Sequence, residues 1–451
     1  MKQKDLTPTP FFAELERAKS EVQKDAAAGG LAFIDMTVSS PLRVGLPFDV
    51  TPAVDAVKQE FNLWDVNPAG TLKAREAVAE DYRSRGGNFT PGQIILTAST
   101  SEAYSILFKA FCNPGDAILT PVPGYPLLDT LAELENLECY PYFLKLRRER
   151  FGKLTDLELR QKKVSGMTSV TSLRAHSAKQ SSTDRSFRFV LDTDSLLSAP
   201  ANAKILLLVC PHNPTGHSVS LSEWKEVVRF CEERNLVLVV DEVFGDYRYS
   251  EDVRRSWEYV SCHPEEHCDE ESRPESMDPI ASAMLQGDDG CGPKCPIVWL
   301  NGLSKICGSP QVKLGWMAVY APEAIRESIH ETLEYVADAY LSVSATAQAL
   351  AAPLLAESAN YEKRIQERLQ QNLAALREKF PSKYCPEVSG GWYAVIRLGG
   401  DDEEQTLRLL KEKHVLVQPG FFFDFDEDSW IVISLLQEPS VFAEGLRRIC
   451  S

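Results

Sequence analysis

The stretch Lys204-Ile205-Leu206-Leu207-Leu208-Val209-Cys210, Pro211-His212-Asn213-Pro214-Thr215-Gly216, a helical run from Ser222 to Arg234, and Leu236-Val237-Leu238-Val239-Val240-Asp241 decides the fold. Two short apolar runs flank one helix. Runs without polar alternation belong to strands covered on both faces, and strand–helix–strand order implies parallel neighbours. The pattern recurs upstream, where Ile94 to Thr97 precedes a helix from Ser101 to Phe111, and Ala117 to Thr120 precedes one from Leu127 to Leu137. Ile297 to Leu300 adds a further strand. The expected class is α/β, a mostly parallel central sheet sandwiched by helices.

The pattern changes after Tyr320. Residues 321 to 380 are Ala/Leu/Glu-rich and read as helix, with breaks near Leu341 and Pro353. Strands at Trp392 to Arg397, Val415 to Gln418 and Trp430 to Leu435, interleaved with two helices, suggest a smaller α+β domain. The expected layout is an N-terminal arm and part of the small domain (1–47), a large domain (48–320) and the small C-terminal domain (321–451). The opening residues form a helix ending at Gly29-Gly30, and Pro52 to Arg83 reads as helix, loop and helix. Residues 147–188, rich in Ser, Thr, Lys, Arg and Gln, and residues 251–296, rich in Asp, Glu, Pro, Ser and Cys, read as surface insertions without chemistry.

The net charge of −17 repels phosphates, so no nucleic-acid or anionic-membrane partner is expected. The longest apolar runs are strand-length, which gives no membrane span. The polar stretch Met1 to Gly30 contains no secretory core, and the 11 cysteines are scattered. Reduced thiols in the cytoplasm are therefore expected.

Five features could carry chemistry, most of them just beyond a strand. Lys305, in Leu303-Ser304-Lys305-Ile306, follows the strand Ile297 to Leu300 at the edge where such sheets bind ligands. A desolvated lysine can attack carbonyls, although a lysine after a strand is usually a solvated surface group. Asp241 ends its strand, where a carboxylate can hold a cationic ring nitrogen, cap a helix or bind Mg²⁺. Asn213 projects from a turn fixed by two prolines and a glycine. Ser99, Thr100 and Ser101 stand at a helix N-terminus, where they would either cradle phosphate or cap the helix. Pro123-Gly124-Tyr125 adds an aromatic turn.

The order of these features resembles the class I/II aminotransferases, which are fold-type-I pyridoxal-phosphate enzymes. The resemblance runs from about Thr37 to Ile449 and includes Gly70 with Leu72-Lys73-Ala74-Arg75-Glu76-Ala77, Asn113-Pro114-Gly115-Asp116, His212-Asn213-Pro214-Thr215-Gly216, Asp241-Glu242-Val243, and Ser304-Lys305 with Gly315-Trp316. It implies pyridoxal 5′-phosphate as cofactor, an amino acid and a 2-oxo acid as substrates, and a homodimer. By the same resemblance Lys305 holds the cofactor and moves the substrate's Cα proton. Asp241 pairs with the pyridine nitrogen, Asn213 donates to the phenolic oxygen, and Tyr125 stacks on the ring. Ser99, Thr100, Ser101 and Ser304 cradle the phosphate, with Lys313 where the family usually has arginine.

Two positions depart from the family pattern. Phe244 replaces a tyrosine that usually donates to the phenolic oxygen, and Tyr247 is out of register to take its place. Val432, in Trp430-Ile431-Val432-Ile433-Ser434, stands where an arginine usually grips the substrate's α-carboxylate. Arg43 or Arg397 would then substitute, or the substrate presents its carboxylate differently, or catalysis is reduced. A β-elimination lyase or a decarboxylase is the alternative to transamination. Cys262, His263, His267, Cys268, Cys291 and Cys295 match no compact zinc module, so no metal is expected. Phe421-Phe422-Phe423 would line the substrate mouth or simply pack in the small domain. Trp64 and Asp65 stand where relatives often place a tyrosine that reaches the partner subunit's cofactor.

Overall fold

The computed structural model describes residues 9–49, 51–60, 66–150, 185–250, 252–260, 292–425 and 430–451. In chain order the helices are α1 (Pro10–Ala27), α2 (Val54–Glu60), α3 (Leu72–Ser84), α4 (Thr100–Phe111), α5 (Leu127–Leu134), α6 (Leu221–Arg234), α7 (Leu303–Ile306), α8 (Glu323–Tyr340), α9 (Ala345–Ala349), α10 (Ala351–Ala356), α11 (Ser358–Lys379), α12 (Asp402–Lys413) and α13 (Pro439–Ile449). The strands are β1 (Ile34–Asp35), β2 (Ile94–Thr97), β3 (Ala117–Val122), β4 (Glu138–Arg150), β5 (Arg185–Leu191), β6 (Ala203–Val209), β7 (Val237–Asp241), β8 (Ile297–Gly302), β9 (Gly315–Tyr320), β10 (Tyr393–Arg397), β11 (Val415–Leu416), β12 (Gln418–Pro419) and β13 (Trp430–Ser434).

The large sheet has the order β2-β9-β8-β7-β6-β3-β4-β5. Its central pairs are parallel, whereas β9 runs against β2 and β8, and β5 runs against β4. The apolar runs sort by strand periodicity. Ile95, Ile118, Ile205, Leu207, Val239, Val298 and Leu300 share one face with Leu107 of α4, Leu128 of α5 and Leu333 of α8. Leu96, Leu119, Leu206, Leu208, Val240 and Trp299 face the other way, toward Val78 of α3 and Val227 of α6. Helices thus cover both faces, which is why these strands carry no polar alternation.

A second, three-stranded antiparallel sheet has the order β10-β13-β12, and β1 pairs in parallel with β11. α1 packs Phe11, Leu15, Ala18 and Val22 against Leu410 and Leu416, joining the N-terminus to the C-terminal part of the chain.

Three local expectations are corrected. Pro353 lies inside α10 and breaks nothing, because it falls in the first turn, where backbone N–H groups lack helical partners anyway. The expected break at Leu341 is present, with a left-handed φ of 65°, and the others fall at the Leu350 and Glu357 caps. The segments expected as surface insertions also carry structure at their described ends. Residues 147–150 and 185–188 extend the β4–β5 ladder, and Ser256, Trp257 and Tyr259 are buried. Trp257 packs edge-on against Tyr82, and Ser256 Oγ accepts a 2.8 Å bond from Trp299 Nε1.

Candidate active site

The parallel strands end on one edge of the sheet, and the loops leaving β2, β3, β6, β7 and β8 bring Ser99, Tyr125, Asn213, Asp241 and Lys305 there. Close backbone approach makes this possible. A Cβ on Gly315 would stand 3.2 Å from both Ser99 C and Thr100 N, and one on Gly302 would stand 2.9 Å from Gly315 Cα. Glycine is required where three backbones meet.

Lys305 projects into an aromatic corner, with Nζ 4.9 Å from the Trp392 ring centroid and 5.3 Å from that of Phe244. Burial lowers its pKa to about 8, while the Asp241 charge works in the opposite direction. The neutral amine, the nucleophilic form, is therefore far more accessible than in a solvated lysine. Beneath it, Tyr247 donates a 2.7 Å bond to the Lys305 carbonyl oxygen. Tyr247 thus supports the backbone of Lys305, which explains its distance from the register of Phe244.

Asp241 receives Tyr104 Oη at Oδ2 (2.8 Å) and the Val243 N–H at Oδ1 (3.1 Å). Burial raises its pKa despite these two donors. A buried carboxylate of this kind calls for a cation, which a protonated ring nitrogen would supply. Asn213 Oδ1 is buried without a hydrogen-bond partner among the described residues. Tyr125 is 45% exposed, and burial of its hydroxyl together with the nearby Asp241 charge raises its pKa. An amine and a charge-seeking carboxylate on one sheet edge fit an aldehyde-bearing, protonated heteroaromatic ring.

Of the two readings of the hydroxyl positions, the structure shows the cap. Ser99 is the N-cap of α4, its Oγ accepting from Glu102 N at 3.2 Å, and Glu102 Oε2 accepts from Ala98 N at 2.5 Å. The N–H groups of Thr100 and Ser101 begin the helix and point out of its positive end. Lys313 has a left-handed φ of 59° and lies exposed two residues before Gly315, which approaches the Ser99 and Thr100 backbone. Ser304 is half-buried beside Lys305.

Val432 is fully buried, and β13 pairs Val432 with Val395 and Trp430 with Arg397. Tyr393, Val395 and Arg397 therefore line one face of β10. Tyr393 lies 6.0 Å from the Phe244 ring, and at the other end Arg397 Cζ lies 5.8 Å above Trp430. Arg43 is exposed in a short 3₁₀ turn, Pro41–Val44, of the N-terminal loop. That loop also brings Ser39 to the Tyr393 hydroxyl. Phe421 and Phe422 pack on Phe11 and Phe12 of α1, so their role here is packing. Phe423 O accepts the Gly124 N–H at 2.8 Å, tying the small sheet's loop to the turn before Tyr125.

Sequence reasoning missed Tyr104, Trp392 and Tyr393. Tyr104 carried no motif, and the two rings read as ordinary strand residues. Of the Cys/His group, only Cys295 lies within the described residues, and it is buried. No metal-binding cluster is found among the described residues. Trp64 and Asp65 lie outside them. No helix among the described residues is long and apolar enough to cross a membrane.

The profile of the aminotransferase class I and II family matches residues 66–449. The chain belongs to this family, whose fold-type-I members are pyridoxal-5′-phosphate-dependent enzymes. It is 22% identical over 362 residues to a tyrosine aminotransferase of Caenorhabditis elegans, a match that covers 78% of this chain and 63% of that enzyme's length. It is 24% identical over 441 residues to nicotianamine aminotransferase A of Hordeum vulgare, covering 93% and 79% of the two chains. Among solved structures, alanine aminotransferase from Pyrococcus furiosus superposes with a TM-score of 0.71 at 18% identity, covering 98% of each chain.

Proposed function

We propose that this enzyme transfers an amino group between an amino acid and a 2-oxo acid, with Lys305 moving the proton at the substrate's Cα. The observation that carries this reading is the buried Lys305 amine on the same sheet edge as Asp241 and Asn213, its pKa lowered to about 8. Pyridoxal phosphate, when bound, supplies an electron sink for the pair left at Cα. The chain's own residues do the rest. Asp241 would keep the ring nitrogen protonated, and Tyr104 orients that carboxylate. Asn213 would donate to the phenolic oxygen, and Tyr125 would cover the ring face. Ser99, Thr100, Ser101 and Ser304 would hold the phosphate, assisted by Lys313. Phe244 and Trp392 keep water from the Lys305 amine and favour its neutral form.

With Val432 uncharged, we assign the substrate carboxylate to Arg397, two positions along β10 from the Val395 that pairs with Val432, with Arg43 as a second cation from the N-terminal loop. Arg397→Met is expected to raise KM for carboxylate substrates about tenfold, and Arg43→Ala by less. Unchanged KM in both variants would remove arginine recognition from the proposal.

A pH test follows from Lys305. Carbonyl attack needs the neutral amine, so uptake of pyridoxal phosphate by the apo-protein is expected to rise with pH and to inflect near pH 8. An inflection near the ordinary lysine value would show that Lys305 is solvated before the cofactor arrives. We also infer a homodimer in the cytoplasm. Val66, Leu72 and Leu341 leave large apolar side chains exposed around the Ser342–Asn67 hydrogen bond, which suits self-association.

A further inference from the structure

A cavity of ≈ 330 Å³ opens beside the site, enclosed by the end of β3, the β4–β5 ladder, the β10–β13 face and the loop at Asp424 and Phe425. Four rings wall it: Phe143, Phe189, Phe425 and Trp430. Three of them pack on one another, with Phe425 and Trp430 stacked at 5.3 Å and Phe189 at 6.0 Å and 5.8 Å from those two rings. Two features join the cavity to the chemistry. Pro123 lines it and precedes Tyr125 by two residues, and β10 runs from Tyr393, beside Phe244, to Arg397 on the cavity wall.

The lining selects among side chains. Lys145 on the lining is ion-paired to Asp192, and most of the remaining lining is apolar. The aromatic walls offer ring faces and edges. The volume is about twice the ~150 Å³ known to admit a benzene ring, leaving space for an indole as well. Resting on the aminotransferase reading above, we propose that this cavity holds the side chain of an aromatic amino donor and of the matching 2-oxo acid.

The test compares kcat/KM of the holoenzyme for alanine, leucine, phenylalanine and tryptophan with one 2-oxo acid acceptor, in the wild type and in Leu146→Trp, which fills the cavity from β4. The wild type is expected to favour the aromatic donors. The variant should lose about tenfold or more on them while alanine stays within about threefold. Calorimetric binding of 3-phenylpropanoate, which has no amine to react, should weaken in parallel, and propanoate binding should not. The cofactor's visible absorption in the variant verifies the fold. If alanine and phenylalanine fall by one common factor, or if 3-phenylpropanoate binds both forms equally, the pocket proposal is overturned and the transaminase reading stands. If the yellow holoenzyme turns over none of the donors, the reading beneath it fails as well.

Discussion

Lys305→Ala is expected to lower amino transfer by roughly 10⁴-fold, the upper range for loss of a positioned acid–base group. It should also abolish the visible absorption that depends on the lysine's bond to the cofactor. Lys305→Arg should be nearly as damaging, although it restores a cation. A guanidinium stays protonated at any accessible pH and cannot act as the base, whereas Lys305 titrates near pH 8. The pair of variants separates charge from basicity. An arginine variant with a tenth of wild-type turnover would mean that Lys305 acts electrostatically and that another group takes the proton. Asp241 and Tyr104 should remain in place in both variants, since their 2.8 Å bond is independent of Lys305.

The sequence showed much of this arrangement because the strands at the sheet centre are buried on both faces. Such strands must be written as short apolar runs, and most candidate residues named from the sequence lie at or just beyond the end of one. Asp241 and Asn213 were legible for that reason. What stayed hidden depends on pairing across the chain. Tyr104 and Asp241 are 137 positions apart, and Tyr247 reaches a backbone carbonyl 58 positions away. Neither contact leaves a local pattern. Composition also misled at residues 252–260, whose charged side chains read as solvated loop. Arg255 is instead held by Asp246 (2.6 Å and 2.9 Å), and Trp257 is buried. Pro353 showed the same limit in a helix, since a proline's effect depends on the turn it occupies.

The largest expected stability effect lies behind the site, at Arg85. This residue caps α3 and gives Asp81 two bonds (3.0 and 2.9 Å), Asp246 one (2.8 Å) and Glu362 two (2.8 and 2.7 Å), with a further bond to Ser358 Oγ at 3.0 Å. Its side chain is only 12% exposed, and the carboxylates it serves are exposed by 7%, 4% and 12%. Arg85→Leu would leave three acidic groups crowded in a poorly solvated space. Breaking a buried ionic cluster from one side typically costs about 3–5 kcal/mol. Arg255 still faces Asp246, which places the expectation toward the lower end. The loss should depend on pH in a defined direction. Glu362 already has its pKa raised to about 7, with burial as the main cause and Asp246 adding to it, and removing Arg85 raises it further. A carboxyl with a raised folded-state pKa binds its proton more tightly in the native state. Stability from that group is present at low pH and lost as pH rises through the folded pKa. The deficit of Arg85→Leu in denaturant unfolding should therefore be largest near pH 8 and shrink toward pH 6. A deficit that is constant over that interval would show that the carboxylates find water in the variant. The consequence would reach catalysis too, because Asp246 adjoins Tyr247, whose hydroxyl holds the Lys305 carbonyl. A loosened cluster should lower kcat before the protein unfolds, and a stable variant with unchanged kcat would uncouple this network from the lysine it lies behind.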